Sequence, residues 1–348
     1  LNLKAVTIGR SPGINKWGFG DFYRQRSLGG EFWSAPFSLA FAYIADSLLH
    51  GPEYDVILWP GIHSWESYPE EIRAAVLRRV ESGTGLVLFY PLTGTAESAA
   101  LGGISPLVVV ERRGGEFGMA VPELDQSEWR PTREHYITRG VPFDAYPWGR
   151  IGVAQSEMSG EVLLETARGT PVMATRQVGK GRVVAFAYPE KGMIPQIEDV
   201  FETGLHYPYH EYLWSLVARA VVWASRHEPE VAIQGIKHTA EGVAVDLLNP
   251  PSGGAIEASI VSSFGEKGPP ISSVLTSGTS PVELARPKSL PGGRHFVDLR
   301  LVQGGRIHDW MSFELESDSS VKIADLVSET DRVNVGDPVL VRVKLASP

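Results

Sequence analysis

The stretch Val56–Phe89, VILWPGIHSWESYPEEIRAAVLRRVESGTGLVLF, decides the fold. Val56–Trp59 is a short, wholly apolar run closed by Pro60-Gly61, the pattern of a strand buried on both faces. Ser67-Tyr-Pro-Glu70 reads as a capping box, with Ser67 at the N-cap and Glu70 three residues on. Ile72, Ala75, Val76 and Val80 then recur at helical spacing, and Gly83 supplies the residue past the helix end. Leu86–Phe89 is a second apolar run. Strand, helix and strand in about 34 residues is a parallel unit.

The pattern extends in both directions. Leu3–Ile8 reads as a strand ending at Gly9. Ser34–His50 reads as a buried helix, with Ser34 as N-cap, Pro36 in the first turn and Gly51 after the last residue. Residues 91–170 carry Gly-Gly pairs and several prolines, and predict loops with an antiparallel excursion. Val172–Val178, the turn Gly179-Lys-Gly181 and Arg182–Tyr188 predict a β-hairpin. Tyr209–Arg226 predicts a long, largely apolar helix. The expectation for residues 1–228 is α/β: a flavodoxin-like, mostly parallel sheet with helices on both faces.

After His227-Glu-Pro229 the composition changes. Short alternating strands such as Val243–Leu247, Ala258–Val261 and His295–Leu301 are separated by Gly, Pro and Ser clusters. Residues 229–318 therefore predict an all-β sandwich of immunoglobulin or fibronectin type. Residues 319–348 add two runs, Val321–Leu326 and Val339–Leu345, around Gly336-Asp-Pro338, and suit the opening of a further, truncated β module. The expected partners include neighbouring domains of a longer chain and a second copy of this one.

The 348 residues include no cysteine, which removes disulfides, Cys-ligated zinc, iron–sulfur clusters and thiolate catalysis. Net charge is −9, from 32 basic and 41 acidic residues, which argues against a nucleic-acid partner. Arg73, Arg78 and Arg79 share a helix with Glu70, Glu71 and Glu81 and read as a solvated face. No run approaches the roughly 18 apolar residues of a membrane span. The chain begins at Leu1 rather than Met, so the lack of a signal peptide leaves location open.

In an open α/β sheet, ligands bind beyond the carboxyl ends of the strands. The residues following the strands are Arg10; His63, Trp65 and Glu66; Tyr90 and Thr93; and Tyr188 with Glu190. His63, Glu66, Tyr188 and Glu190 are the candidate catalytic cluster, with Glu66 and Glu190 as a carboxylate pair for glycoside hydrolysis. Arg10, Trp17, Trp65 and Tyr90 are candidate ligand contacts. Trp17, Phe19, Phe22, Tyr23, Phe32 and Trp33 form an aromatic segment that would line a carbohydrate cleft or cover an interface. His206 and His210 have metal-ligand spacing. Pro208 lies between them, and Tyr207 stands where the zincin motif needs glutamate, so no metal and no cofactor are expected.

Leu58–Trp65 (LWPGIHSW), Glu81–Tyr90 (ESGTGLVLFY), Val178–Glu190 (VGKGRVVAFAYPE) and Tyr212–Ala224 (YLWSLVARAVVWA) together resemble the class I glutamine amidotransferase-like superfamily. The similarity is to its non-glutaminase branches, the trimerisation domain of certain β-galactosidases and the ThuA-like group. Pro291–Leu315 (PGGRHFVDLRLVQGGRIHDWMSFEL) resembles the immunoglobulin-like modules of multidomain glycoside hydrolases, which favours a secreted or periplasmic location. The resemblance implies a nucleophilic cysteine after Leu86–Phe89 and a His-Pro-Glu after Val183–Ala187. Here the chain reads Tyr90-Pro-Leu-Thr-Gly94 and Tyr188-Pro189-Glu190. With both reactive groups gone, it implies a noncatalytic structural or oligomerisation module of a larger carbohydrate-related protein. The alternatives are a hydrolase acting on a sugar or amide through the strand-end cluster, and a carbohydrate-binding module.

Overall fold

A computed structural model describes residues 5–7, 46–60, 65, 69–89, 91–93, 103–110, 124–144, 148, 152–187, 211–262, 268, 270–275, 280–287, 290, 292–317, 322–328 and 339–346. The chain divides into two compact units, Leu1–Glu230 and Val231–Pro348.

The first unit is built on a seven-stranded sheet. Its strands are β1 (Ala5–Thr7), β2 (Val56–Pro60), β3 (Gly85–Phe89), β4 (Trp129–Pro131), β5 (Glu161–Thr166), β6 (Pro171–Val178) and β7 (Gly181–Phe186), in the spatial order β1-β2-β3-β7-β6-β5-β4. The pairings β1/β2, β2/β3 and β3/β7 are parallel, and β7/β6, β6/β5 and β5/β4 are antiparallel. Two further small sheets join Leu92–Thr93, Leu107–Val110 and Ser156–Met158, and Leu124–Asp125 with Val153–Ala154.

This corrects the flavodoxin-like expectation. Strands dominate the described residues, half of the main sheet's pairings are antiparallel, and only two complete helices are described, α1 (Glu70–Ser82) and α2 (Glu211–Ala224). The reason lies in what an apolar run reports. Leu86–Phe89 and Val183–Phe186 are apolar because both faces of the strand are covered, and that requirement is the same for either strand direction. The hairpin β6–β7 was legible; that β5 and β4 extend the main sheet antiparallel beyond it was not.

Helix α1 starts at Glu70 with Pro69 at its N-cap and no side-chain cap bond, while Ser67 lies outside the described residues. Ile72, Ala75, Val76 and Val80 are its buried face. Gly83, at φ 131°, ends it in a conformation that disfavours side chains, and its N–H donates to the carbonyls of Arg79 (3.1 Å) and Val80 (3.0 Å). Of the expected helix Ser34–His50, residues 46–49 are described as helical, and the rest lies outside the described residues.

The long apolar segment forms α2, which packs on β3 and β7. Tyr212, Leu213, Leu216, Ala220 and Ala224 are buried. The approach is close enough that a Cβ on Gly85 would overlap the carbonyl of Ala224. Arg182 of β7 closes the same joint: it donates to the Trp223 carbonyl (2.9 Å), lies over the Trp223 ring (4.9 Å) and pairs with Glu228.

The second unit contains two antiparallel sheets around one core. Strands β8 (Ala232–His238), β9 (Gly242–Leu248) and β12 (Val282–Ala285) form one, in the order β8-β9-β12. Strands β10 (Ala255–Ser262), β11 (Ile271–Val274), β13 (Gly293–Gln303) and β14 (Arg306–Ser317) form the other, in the order β11-β10-β13-β14. Val243, Val245 and Leu247 of the first and Ile256, Ile260, Val297, Leu299, Leu301, Met311 and Phe313 of the second share a single apolar cluster. Each set alternates along its strand, which is what one buried face requires. Buried Asp309 accepts a bond from the N–H of Ile233 (2.9 Å), tying the two sheets together. Among the described residues, Lys322–Ser328 and Val341–Ala346, β15 and β16, form a two-stranded antiparallel ribbon.

The close approach at Gly85 gives a direct test. Gly85→Ala should lower stability by about 1–3 kcal/mol, because helix and sheet must separate to admit the methyl group. Gly103→Ala, where an added Cβ meets nothing within 4 Å, should change it by less than about 0.5 kcal/mol. Urea unfolding of the full chain, followed by tryptophan fluorescence, measures both.

Candidate functional site

The carboxyl ends of β2, β3 and β7 were the place to look for a ligand. What is described there is aromatic and buried. Trp65 is 2% exposed and tilts against Trp59, with ring centroids 4.8 Å apart. Phe89 of β3 and Phe186 of β7 stack at 5.3 Å with planes 7° apart. Trp65, expected as a ligand contact, thus has its ring packed in the core. The other expected residues, Arg10, Trp17, His63, Glu66, Tyr90, Tyr188, Glu190, His206 and His210, lie outside the described residues. Among the described residues no group of three or more His, Asp or Glu side chains is placed to hold a metal, and no helix is long and apolar enough to cross a membrane.

The structure draws attention to three polar places that the sequence reading did not single out. The first is Asp125, which is buried. Its Oδ2 accepts from the hydroxyls of Thr166 (2.6 Å) and Thr170 (2.7 Å), and its Oδ1 from the hydroxyl (2.7 Å) and N–H (2.9 Å) of Ser127. Gln155 donates in turn to Thr170 Oγ1 at 3.3 Å. Burial alone would raise this carboxyl, but the bonds from Thr166, Ser127 and Thr170 outweigh it and hold the group far below the usual carboxylate range. A carboxylate so fully occupied is a clamp, joining Leu124–Asp125 to the end of β5 and the turn after it. No sequence motif marks it, because its partners are 41 and 45 residues away.

The second place is the turn at residues 135–140 against α2. The His135 ring meets Trp223 edge-on at 5.3 Å, and its Nδ1 accepts from the Ile137 N–H at 3.2 Å. That bond requires the neutral ring with the proton on Nε2. Burial, reinforced by Arg133, lowers its pKa to about 4, against smaller opposite effects from Glu161 and Glu228 and a further lowering by Arg182. Arg219 of α2 is 0% exposed, lies over the Tyr136 ring at 5.1 Å and donates to the Tyr136 carbonyl at 3.3 Å.

The third is an open cleft of about 590 Å³ at the amino ends of β2 and β3, opposite to the expected end. Glu53, Tyr54, Asp55, Arg78, Arg79 and Thr84 are among the residues lining it. Arg79, expected on a solvated face, instead points its guanidinium at the carbonyls of Ser47, Leu48, Gly51 and Pro52, ending the helix of residues 46–49, and sits over Tyr54 at 5.5 Å. Arg79 is therefore committed to the fold, and Arg78 is the exposed arginine of the cleft.

No protein-family model matches the sequence, and no curated protein matches it. Some solved structures show partial similarity to the chain. They include a cytoplasmic protein, STM1381, from Salmonella typhimurium LT2 (16% identity over 51% of this chain and 79% of that one, TM-score 0.34). A putative ThuA-like protein from Parabacteroides merdae covers 49% of this chain and 70% of its own at 12% identity and TM-score 0.32. A β-galactosidase from Bacillus circulans sp. alkalophilus covers 64% of this chain at 13% identity and TM-score 0.32, and this chain spans 32% of it. Likeness at this level leaves function to be argued from the chain's own residues.

Two outcomes follow from the polar places. Asp125→Ala should cost about 2–4 kcal/mol, because three hydroxyls and an amide lose a charged acceptor in a buried site. Thermal and urea unfolding at neutral pH would show it. His135 is neutral when folded, so between about pH 6.5 and 4 the unfolded chain binds the extra proton. Its contribution is therefore complete above pH 6.5, is lost as pH falls toward 4, and is constant below. His135→Asn keeps an acceptor for the Ile137 N–H but cannot titrate. Its stability should fall less than the wild type's over that window, measured by urea unfolding at half-unit pH steps.

Proposed function

We propose that this chain is a structural or oligomerisation module, without catalysis of its own, in a larger carbohydrate-related protein. The observation that carries the reading is the aromatic packing at the carboxyl ends of β2, β3 and β7. Trp59 packs on Trp65 and Phe89 on Phe186, all four buried, where an open α/β sheet would otherwise present a ligand crevice. A site at work at this edge needs exposed, convergent polar groups. A chain without cysteine also has no thiolate nucleophile to offer. The carbohydrate setting rests on the sequence resemblance of residues 1–228 and Pro291–Leu315 to parts of glycoside hydrolases.

The purified chain should self-associate in sedimentation-velocity runs and should release no product above the buffer rate from aryl glycosides or from glutamine. Turnover that is lost in both Glu66→Gln and Glu190→Gln would replace this reading with the hydrolase.

A further inference from the structure

Residues 135–140 turn against α2, and the bond that shapes the turn needs an uncharged ring. The Ile137 N–H donates to His135 Nδ1 at 3.2 Å, and Ile137 is 0% exposed. A proton on Nδ1 would set two donors face to face and leave that amide buried without its acceptor, which the turn relieves by opening to water. The carboxylates that act on the ring are already taken: Glu161 of β5 pairs with Arg133, and Glu228 beyond α2 pairs with Arg182 of β7. Glu134, the preceding residue, is exposed to solvent. The Trp223 ring, met edge-on by His135 at 5.3 Å, carries the Arg182 guanidinium at 4.9 Å. Next along the turn, the Tyr136 ring meets Arg139 (5.7 Å) and Arg219 of α2 (5.1 Å). An imidazolium here would join a set of cations whose counterions are engaged.

We propose that His135 is an acid-released latch: protonation of its ring frees residues 135–140 from α2 while the seven-stranded sheet stays folded. The sheet does not hang on the turn, since β7 is held by β3 and β6 and Val183, Val184, Ala185 and Phe186 are all buried. The Asp125 clamp also outlasts the latch, because its carboxyl is held far below the usual range and keeps its charge in the same acid. What acid uncovers is the side of α2 that carries Trp223 and Arg219. Latched, the ring stays neutral down to about pH 4, whereas a freed ring takes its proton near 6.5. The open form therefore binds the extra proton, and its share should rise by as much as ~300-fold as pH falls across that window.

The test is hydrogen exchange of the full chain at half-unit steps from pH 7 to 4, corrected for the intrinsic pH dependence of exchange. Mass spectrometry compares peptides covering residues 133–144 with peptides covering residues 181–187 of β7. In the wild type, protection of the turn should fall by about 30-fold or more relative to β7. His135→Asn offers a side-chain oxygen to the Ile137 N–H and cannot titrate, so its ratio should stay level within about threefold. A level ratio in the wild type would overturn the latch, as would a fall of the same size in His135→Asn. An NMR titration of the wild type decides the matter without any variant. The His135 ring should titrate well below its ordinary value, and a midpoint at the free value of 6.5 would overturn the latch.

Discussion

Strand β7 is the constraint around which the first unit is arranged. It hydrogen-bonds on one side to the parallel strand β3 and on the other to the antiparallel strand β6. Val183, Val184, Ala185 and Phe186 are all buried, so the strand is covered above and below as well as flanked. A strand in that position cannot shift register by one residue without exchanging both faces. Helix α2 is seated against it and β3, Arg182 ties its amino end to the Trp223 carbonyl, and Phe186 closes its far end on Phe89. The helix can come so near only because Gly85 lacks a side chain.

The buried polar groups solve one problem in opposite ways. Asp125 stays charged because four donors replace the water it lost, and His135 stays neutral because partial burial, reinforced by Arg133, disfavours the charged ring. Both fasten irregular chain to the sheet and helix. Arg79 does the same for the end of the helix at residues 46–49. Asp125 and Arg79 are thus charged side chains that join segments distant in sequence. The cleft beside Arg79 is shaped by that task.

The second unit shows the contrast between a finished and an unfinished β surface. Strands β8 to β14 hide one face of each sheet in a common core. The ribbon pairs in the same antiparallel way, but its residues 324–328 and 341–346 are exposed on both faces. Alternation is a local property of a strand, whereas burial belongs to whatever comes to lie against it.

Local chemistry made several elements readable. Gly83 as the end of α1, the apolar face of Ile72, Ala75, Val76 and Val80, the hairpin turning at Gly179-Lys-Gly181 and the strands within residues 230–316 follow from spacing, turn residues and periodicity. The absence of cysteine, and with it of thiolate chemistry, is a property of composition alone. The hairpin made β6 antiparallel to β7, but that β5 and β4 continue the same sheet antiparallel was not readable, since a run buried on both faces looks the same in either direction. Trp65 carried no sign of whether its ring faced a ligand or Trp59. Asp125, Thr166 and Thr170 are ordinary polar residues until the fold brings them together across more than 40 residues, and only then does one of them become a buried anion with its donors in place. Short-range order is encoded by neighbours in sequence, and pairing across the chain is settled by which surfaces exclude water together.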